Sequence, residues 1–108
     1  VTFDEFESAA LTTVLYDDKY RIFYPALGLA GETGEVLEKI KKVFRDNDGV
    51  LADEKRKEIA KELGDVLWYI AALCRDLDIT MDDVAELVIA KLKSRAERNV
   101  LRGSGDER

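Results

Sequence analysis

The sequence predicts an all-α fold, a four-helix-bundle-like domain that assembles into an oligomer, and three observations point there. Apolar residues recur at helical spacing in four stretches, no segment sustains the alternation of a half-buried strand, and helix-start signals precede several of those stretches. At 108 residues, with 46% hydrophobic and 37% charged, the chain has the size and composition to bury one core, so one helical domain over residues 1–108 is expected.

Thr2-Phe3-Asp4-Glu5 reads as a capping box, opening a helix with Phe3, Phe6, Ala10 and Val14 on one stripe and an end near Tyr16. A polar and aromatic stretch follows, and Pro25 suits the first turn of a second helix that turns Leu29, Val36, Ile40, Val43 and Phe44 inward. Asp46-Asn47-Asp48-Gly49 is the turn that stops it. The third helix starts at Ala52 or Asp53 and runs to about Leu77, carrying Ile59, Leu63, Val66, Ile70, Leu73 and Leu77. Thr80 caps a fourth helix whose apolar face is Val84, Leu87, Val88 and Leu92, and the remainder reads as a short flexible tail.

Across residues 64–74 the third helix is apolar in nearly every direction, with Val66, Leu67, Trp68, Ile70, Ala71, Ala72 and Leu73. A helix apolar all round is buried all round. Four short helices can hardly enclose it, so a large interface between subunits is expected.

Composition excludes several functions. A net charge of −6 argues against binding a nucleic-acid polymer, which needs a basic footprint. No apolar run approaches the roughly 20 residues that span a bilayer, and Val1-Thr2-Phe3-Asp4-Glu5 lacks the regions of a secretory leader, so a cytoplasmic location is the default expectation. One cysteine and no histidine leave no Ser-His-Asp triad, no Cys-His pair and few zinc ligands. Carboxylates with a hard cation are the remaining catalytic tools.

Two acidic pairs share one spacing, Glu32 with Glu35 and Glu62 with Asp65. Residues three apart are neighbours on a helix surface, so each pair can chelate. Glu32 lies on the edge of the Leu29, Val36, Ile40 stripe with Glu35 just outside it, and Glu62 and Asp65 hold the same relation to Ile59, Val66 and Ile70. Antiparallel packing through those stripes would gather four carboxylates, which repel unless Mg2+ or Mn2+ sits between them. The plain alternative is a pair of solvated helix faces, with Glu35 bonded to Lys39. Lys91 and Arg95 project within the apolar stripe of the fourth helix; either they snorkel or neutralise nearby acids, or with Arg98 or Arg102 they meet a polyphosphate. Trp68, Tyr69 and the group Tyr16, Tyr20, Phe23 and Tyr24 could stack on a nucleobase or simply pack the core.

Glu32-Thr33-Gly34-Glu35 followed by Glu62-Leu63-Gly64-Asp65, set in GLAGETGEVLEKIKK and KELGDVLWYIAAL with the ending KLKSRAERNVLRGSGDER, resembles the MazG-like all-α nucleoside triphosphate pyrophosphohydrolases over residues 3–108. One departure is Gly31, where many members carry an acid. The resemblance implies Mg2+-dependent hydrolysis of a nucleoside or deoxynucleoside triphosphate to its monophosphate and pyrophosphate, in house-cleaning of the nucleotide pool. It implies metal ligation and catalysis by Glu32, Glu35, Glu62 and Asp65. Phosphate would be bound or covered by Lys91, Arg95 and residues 102–106, including Arg102, Ser104 and Asp106. A homodimer or homotetramer, with sites near subunit boundaries, is implied too. The rival expectations are a helical oligomerisation or regulatory module without catalysis, and a pyrophosphohydrolase of another phosphorylated metabolite.

Overall fold

The computed structural model describes residues 1–108 and contains four α-helices and no strand: α1 (Phe3–Ala10), α2 (Phe23–Asn47), α3 (Asp53–Asp76) and α4 (Met81–Glu97). The capping box at the start of α1 is present, with the Glu5 N–H donating to Thr2 Oγ1 at 3.1 Å and the Thr2 N–H donating to Glu5 Oε1 at 3.0 Å. α1 stops earlier than the sequence suggests and passes into a tight turn at Leu11–Thr13. There the Thr12 and Thr13 hydroxyls donate to the carbonyls of Ala9 and Ala10, a local alternative to continuing the helix.

Residues 14–22 lead into α2 and end at Ile22, whose φ of 69° is unusual for a β-branched residue. Pro25 is buried in the first turn of α2, where its missing N–H removes no helical hydrogen bond. Asp48 in the left-handed conformation and Gly49 at φ 76° close α2, the Gly49 N–H reaching back to the Val43 carbonyl. α3 returns antiparallel along α2: Gly28 faces Tyr69, and Lys39 faces Glu62. Thr80 caps α4 in a second box, with Asp83 in the place of the longer glutamate. The Met81 N–H donates to Glu7 Oε1 at 2.6 Å and ties α4 to α1.

The core lies where α1 and α4 meet the C-terminal half of α3, with Ala71, Cys74 and Met81 buried under Phe6, Leu11, Leu67, Ile70 and Val84. The other half of the α2–α3 hairpin has no second layer. Phe44, Leu63, Leu77, Leu87, Val88 and Leu92, all expected to face inward, are exposed. The periodicity correctly marks these residues as apolar stripes, but one copy of the chain offers nothing to cover them. The radius of gyration is 16.9 Å, against about 13 Å for a compact domain of this length.

Candidate active site

α2 and α3 bring Glu32, Glu62 and Asp65 together, with one carboxylate oxygen of each within 4.8 Å of the others. The arrangement follows from the antiparallel seam. Glu62 and Asp65 sit one turn apart on α3, and Glu32 meets them from α2. Glu35 is exposed and stands outside this set, because a step of three residues swings it about 60° further from the seam. Its charge still reaches Glu32.

The electrostatics are those of an under-compensated acidic cluster. Partial burial, then the charges of Asp65 and Glu62, a hydrogen bond shared with Glu62, and the charge of Glu35 all push the Glu32 carboxyl above its ordinary value. Lys39 Nζ lies 3.7 Å from Glu62 Oε1 and offers one positive charge to three acids. The bond from Glu35 to Lys39 that a solvated face would favour is replaced by this bridge between helices.

Beside the carboxylates lies a cleft of about 330 Å³ lined by Glu32, Asp65, Trp68 and Tyr69. The indole of Trp68 is oriented by its Nε1–H, which donates to Thr13 Oγ1 at 2.8 Å and to the Ala10 carbonyl at 3.2 Å. It meets Tyr69 edge-on with ring centres 5.0 Å apart, Tyr69 lies 6.4 Å from Tyr24, and Tyr24 stacks on Tyr16 at 4.6 Å. Gly28 makes room for this row, since a Cβ there would clash with one edge of the Tyr69 ring. Tyr20 and Phe23 are exposed and take no part in it.

The row ends on a buried acid. Asp76 accepts from the Tyr16 hydroxyl at 2.8 Å, from the Ile22 N–H at 2.9 Å and from the Arg75 guanidinium at 2.8 and 3.0 Å. Burial alone would push the Asp76 carboxyl up, but these three partners outweigh it and hold the carboxyl below its usual value. Tyr16 is pushed up to about 12 by burial and by its bond to Asp76.

The basic residues of α4 have a different partner from the cage. Lys91 Nζ donates to Asp106 Oδ1 at 2.7 Å, and Arg95, which is buried, donates through Nη2 to the Asp106 carbonyl at 2.7 Å and to Asp106 Oδ1 at 3.3 Å. The Lys91 hydrogen bond, with the Lys91 charge and Arg95, holds the Asp106 carboxyl below its usual value. Arg102 and Ser104 are exposed on the same returning tail.

Sequence reasoning missed Lys39 as the bridge, Asp76 as a buried hub and Asp106 as the partner of α4. One available signal was the match of Gly28, four residues before Glu32, with Tyr69, four residues after Asp65, a small residue opposite a large one across the seam.

A helical hairpin with clustered acids on its seam and an aromatic cleft beside them defines the class, an all-α protein with a site suited to a hard cation. Comparison with known proteins narrows it. The MazG nucleotide pyrophosphohydrolase domain matches residues 25–100, from the first turn of α2 to just past α4. The Gene 37 protein of Mycobacterium phage L5 is 41% identical over 111 residues, covering 97% of this chain and 97% of that protein. No solved structure matches. The chain belongs to the MazG nucleotide pyrophosphohydrolase family. No helix is long and apolar enough to cross a membrane.

Proposed function

We propose that the protein hydrolyses a nucleoside or deoxynucleoside triphosphate to its monophosphate and pyrophosphate, using Mg2+ with Mn2+ as a substitute, in clearing the nucleotide pool. The observation that carries the reading is the convergence of Glu32, Glu62 and Asp65 beside the Trp68 cleft in a chain of this family. The donor set fits the cation: three hard carboxylate oxygens lie close together, and partial burial together with the charges of Asp65 and Glu62 raises the Glu32 carboxyl.

Glu32, Glu62 and Asp65 would hold the ion, with Glu35 swinging in from one turn along α2 as a further ligand or as the base that takes a proton from the attacking water. Bound there, Mg2+ supplies positive charge for the phosphoryl oxygens and for the water that attacks them. Trp68, fixed by Thr13 and Ala10, offers its free face to the base. Lys91 and Arg95 take phosphoryl oxygens, and the tail that carries Arg102, Ser104 and Asp106 closes over them after Asp106 gives up the pair. Cleavage of the anhydride between the α and β phosphates then consumes one water.

The same reading makes the protein a homodimer or homotetramer with sites near subunit boundaries. Its surface of 7990 Å² exceeds the roughly 6,000 Å² of a compact monomer of this size by about the area an obligate interface hides. Sedimentation at micromolar concentration should show no monomer. The decisive experiment is pyrophosphate release from ordinary and modified triphosphates with Mg2+ or Mn2+. Release from none of them, with release from a phosphorylated metabolite that is not a nucleotide, would overturn the assignment.

A further inference from the structure

Past α4 the chain turns back on itself. Asn99 at φ 58°, Gly103 at φ 142° and Gly105 at φ 85° supply the bends. The Arg108 side chain gathers the turn from inside, donating to the carbonyls of Val100 at 3.1 Å, Leu101 at 2.9 Å and Gly105 at 2.7 Å, while Arg98 Nη2 holds the Arg108 carbonyl at 2.6 Å. The outcome is that Asp106 is presented to α4, where Lys91 and Arg95, one turn apart, both point at its Oδ1.

This match is incomplete. One negative charge faces two positive ones, and Arg95 Nε is buried with no hydrogen-bond partner, although the residue is only 6% exposed. A buried guanidinium with an idle donor is expensive unless something completes it. A phosphoryl group carries more charge and more acceptor oxygens than one carboxylate. The Asp106 side chain is 75% exposed, so its hold on the pair is of the weak, water-competed kind.

We propose that Asp106 is an internal counter-anion. In the free chain it occupies the Lys91–Arg95 pair that a polyphosphate needs, and residues 99–108 are a strap, hinged at Gly103 and Gly105, that must release Asp106 before the anion seats. The inference rests on the reading of Lys91 and Arg95 as phosphate-binding and adds what competes for them. It separates two roles for the tail: Asp106 restrains binding, whereas a tail that merely oriented Lys91 and Arg95 would promote it.

The probe is inorganic tripolyphosphate, titrated calorimetrically into the full chain with EDTA present so that the carboxylate cage is silent. Asp106→Asn should bind it about threefold to tenfold more tightly than the wild type. Arg108→Ala, which loosens the strap while leaving the Asp106 charge in place, should move affinity the same way by less. Lys91→Gln introduced with Asp106→Asn should erase the gain. Unchanged or weaker binding in Asp106→Asn and Arg108→Ala overturns the proposal. Because no nucleotide or hydrolysis is involved, a chain that releases no pyrophosphate from any triphosphate leaves this result standing. Conversely, full activity without tighter tripolyphosphate binding removes the strap alone.

Discussion

Two acids of helix α3 share nearly one face but not one environment, Asp65 at the middle of the helix and Asp76 at its C-terminal end, eleven residues or about three turns apart. The surroundings treat them in opposite ways. Asp76 sits where the helix dipole disfavours an anion, and the protein answers with the Ile22 N–H, the Tyr16 hydroxyl and Arg75, so that its carboxyl is held down despite burial. Asp65 instead shares its place with Glu62 and Glu32, where the only ion pair is Lys39 with Glu62, and partial burial with the charges of Asp65 and Glu62 pushes the Glu32 carboxyl up. One cluster is completed by the chain and belongs to stability. The other is left short of positive charge, and that shortfall is what a bound cation would fill.

The largest effect that separates the two concerns turnover. Asp65→Asn, Glu62→Gln and Glu35→Gln should each lower pyrophosphate release by about 10²- to 10³-fold. Their unfolding midpoints should hold or rise in metal-free buffer, because a repelling charge has been removed. Activity retained in all three would detach these residues from the mechanism. Asp76→Asn should do the reverse, costing about 2–4 kcal/mol of stability in urea unfolding, since it weakens the hold on Arg75, Tyr16 and the Ile22 N–H together.

The pH dependence of that loss has a definite sign. A carboxyl lowered on folding contributes fully above its unfolded value of about 3.9 and loses the contribution as pH falls through the folded value. Wild-type urea midpoints should therefore drop steeply below about pH 4, while Asp76→Asn shows a flatter acid limb and the two curves converge. Parallel curves would show that Asp76 is not the group titrating.

What was legible in the sequence divides along the same line. Local signals read correctly: the box at Thr2, the cap at Thr80, the stop at Asp48 and Gly49, and the span of α3, because each is decided within a few residues. The acidic seam was half local: spacing anticipated that Glu32, Glu62 and Asp65 would meet across the helices, and the expected fourth carboxylate, Glu35, stands outside the cluster. The bond between Tyr16 and Asp76 joins residues 60 apart, and Asp106 reaches Lys91 only after the chain reverses. No period encodes such pairings. The exposure of Phe44 and Leu87 teaches a related lesson: a helical stripe states that a face is to be covered and is silent about the cover.

The smallest effect is the sharpest test of the comparison, because it asks whether the two regions are independent. A cation that binds only the folded chain stabilises it by about 1.4 kcal/mol at ten times its dissociation constant, a rise of several degrees in Tm. Wild type should show this with Mg2+, and Asp65→Asn should not. Asp65 and Asp76 are about 16 Å apart along the helix axis, beyond the range where substitutions usually couple. Asp76→Asn should therefore start lower and gain the same increment as wild type, leaving its deficit unrepaired. An equal rise in Asp65→Asn would place the cation elsewhere. A rise lost in Asp76→Asn would mean that the row from Tyr16 through Tyr24 to Tyr69 transmits the state of the buried acid to the cage, and the two clusters would then have to be treated as one.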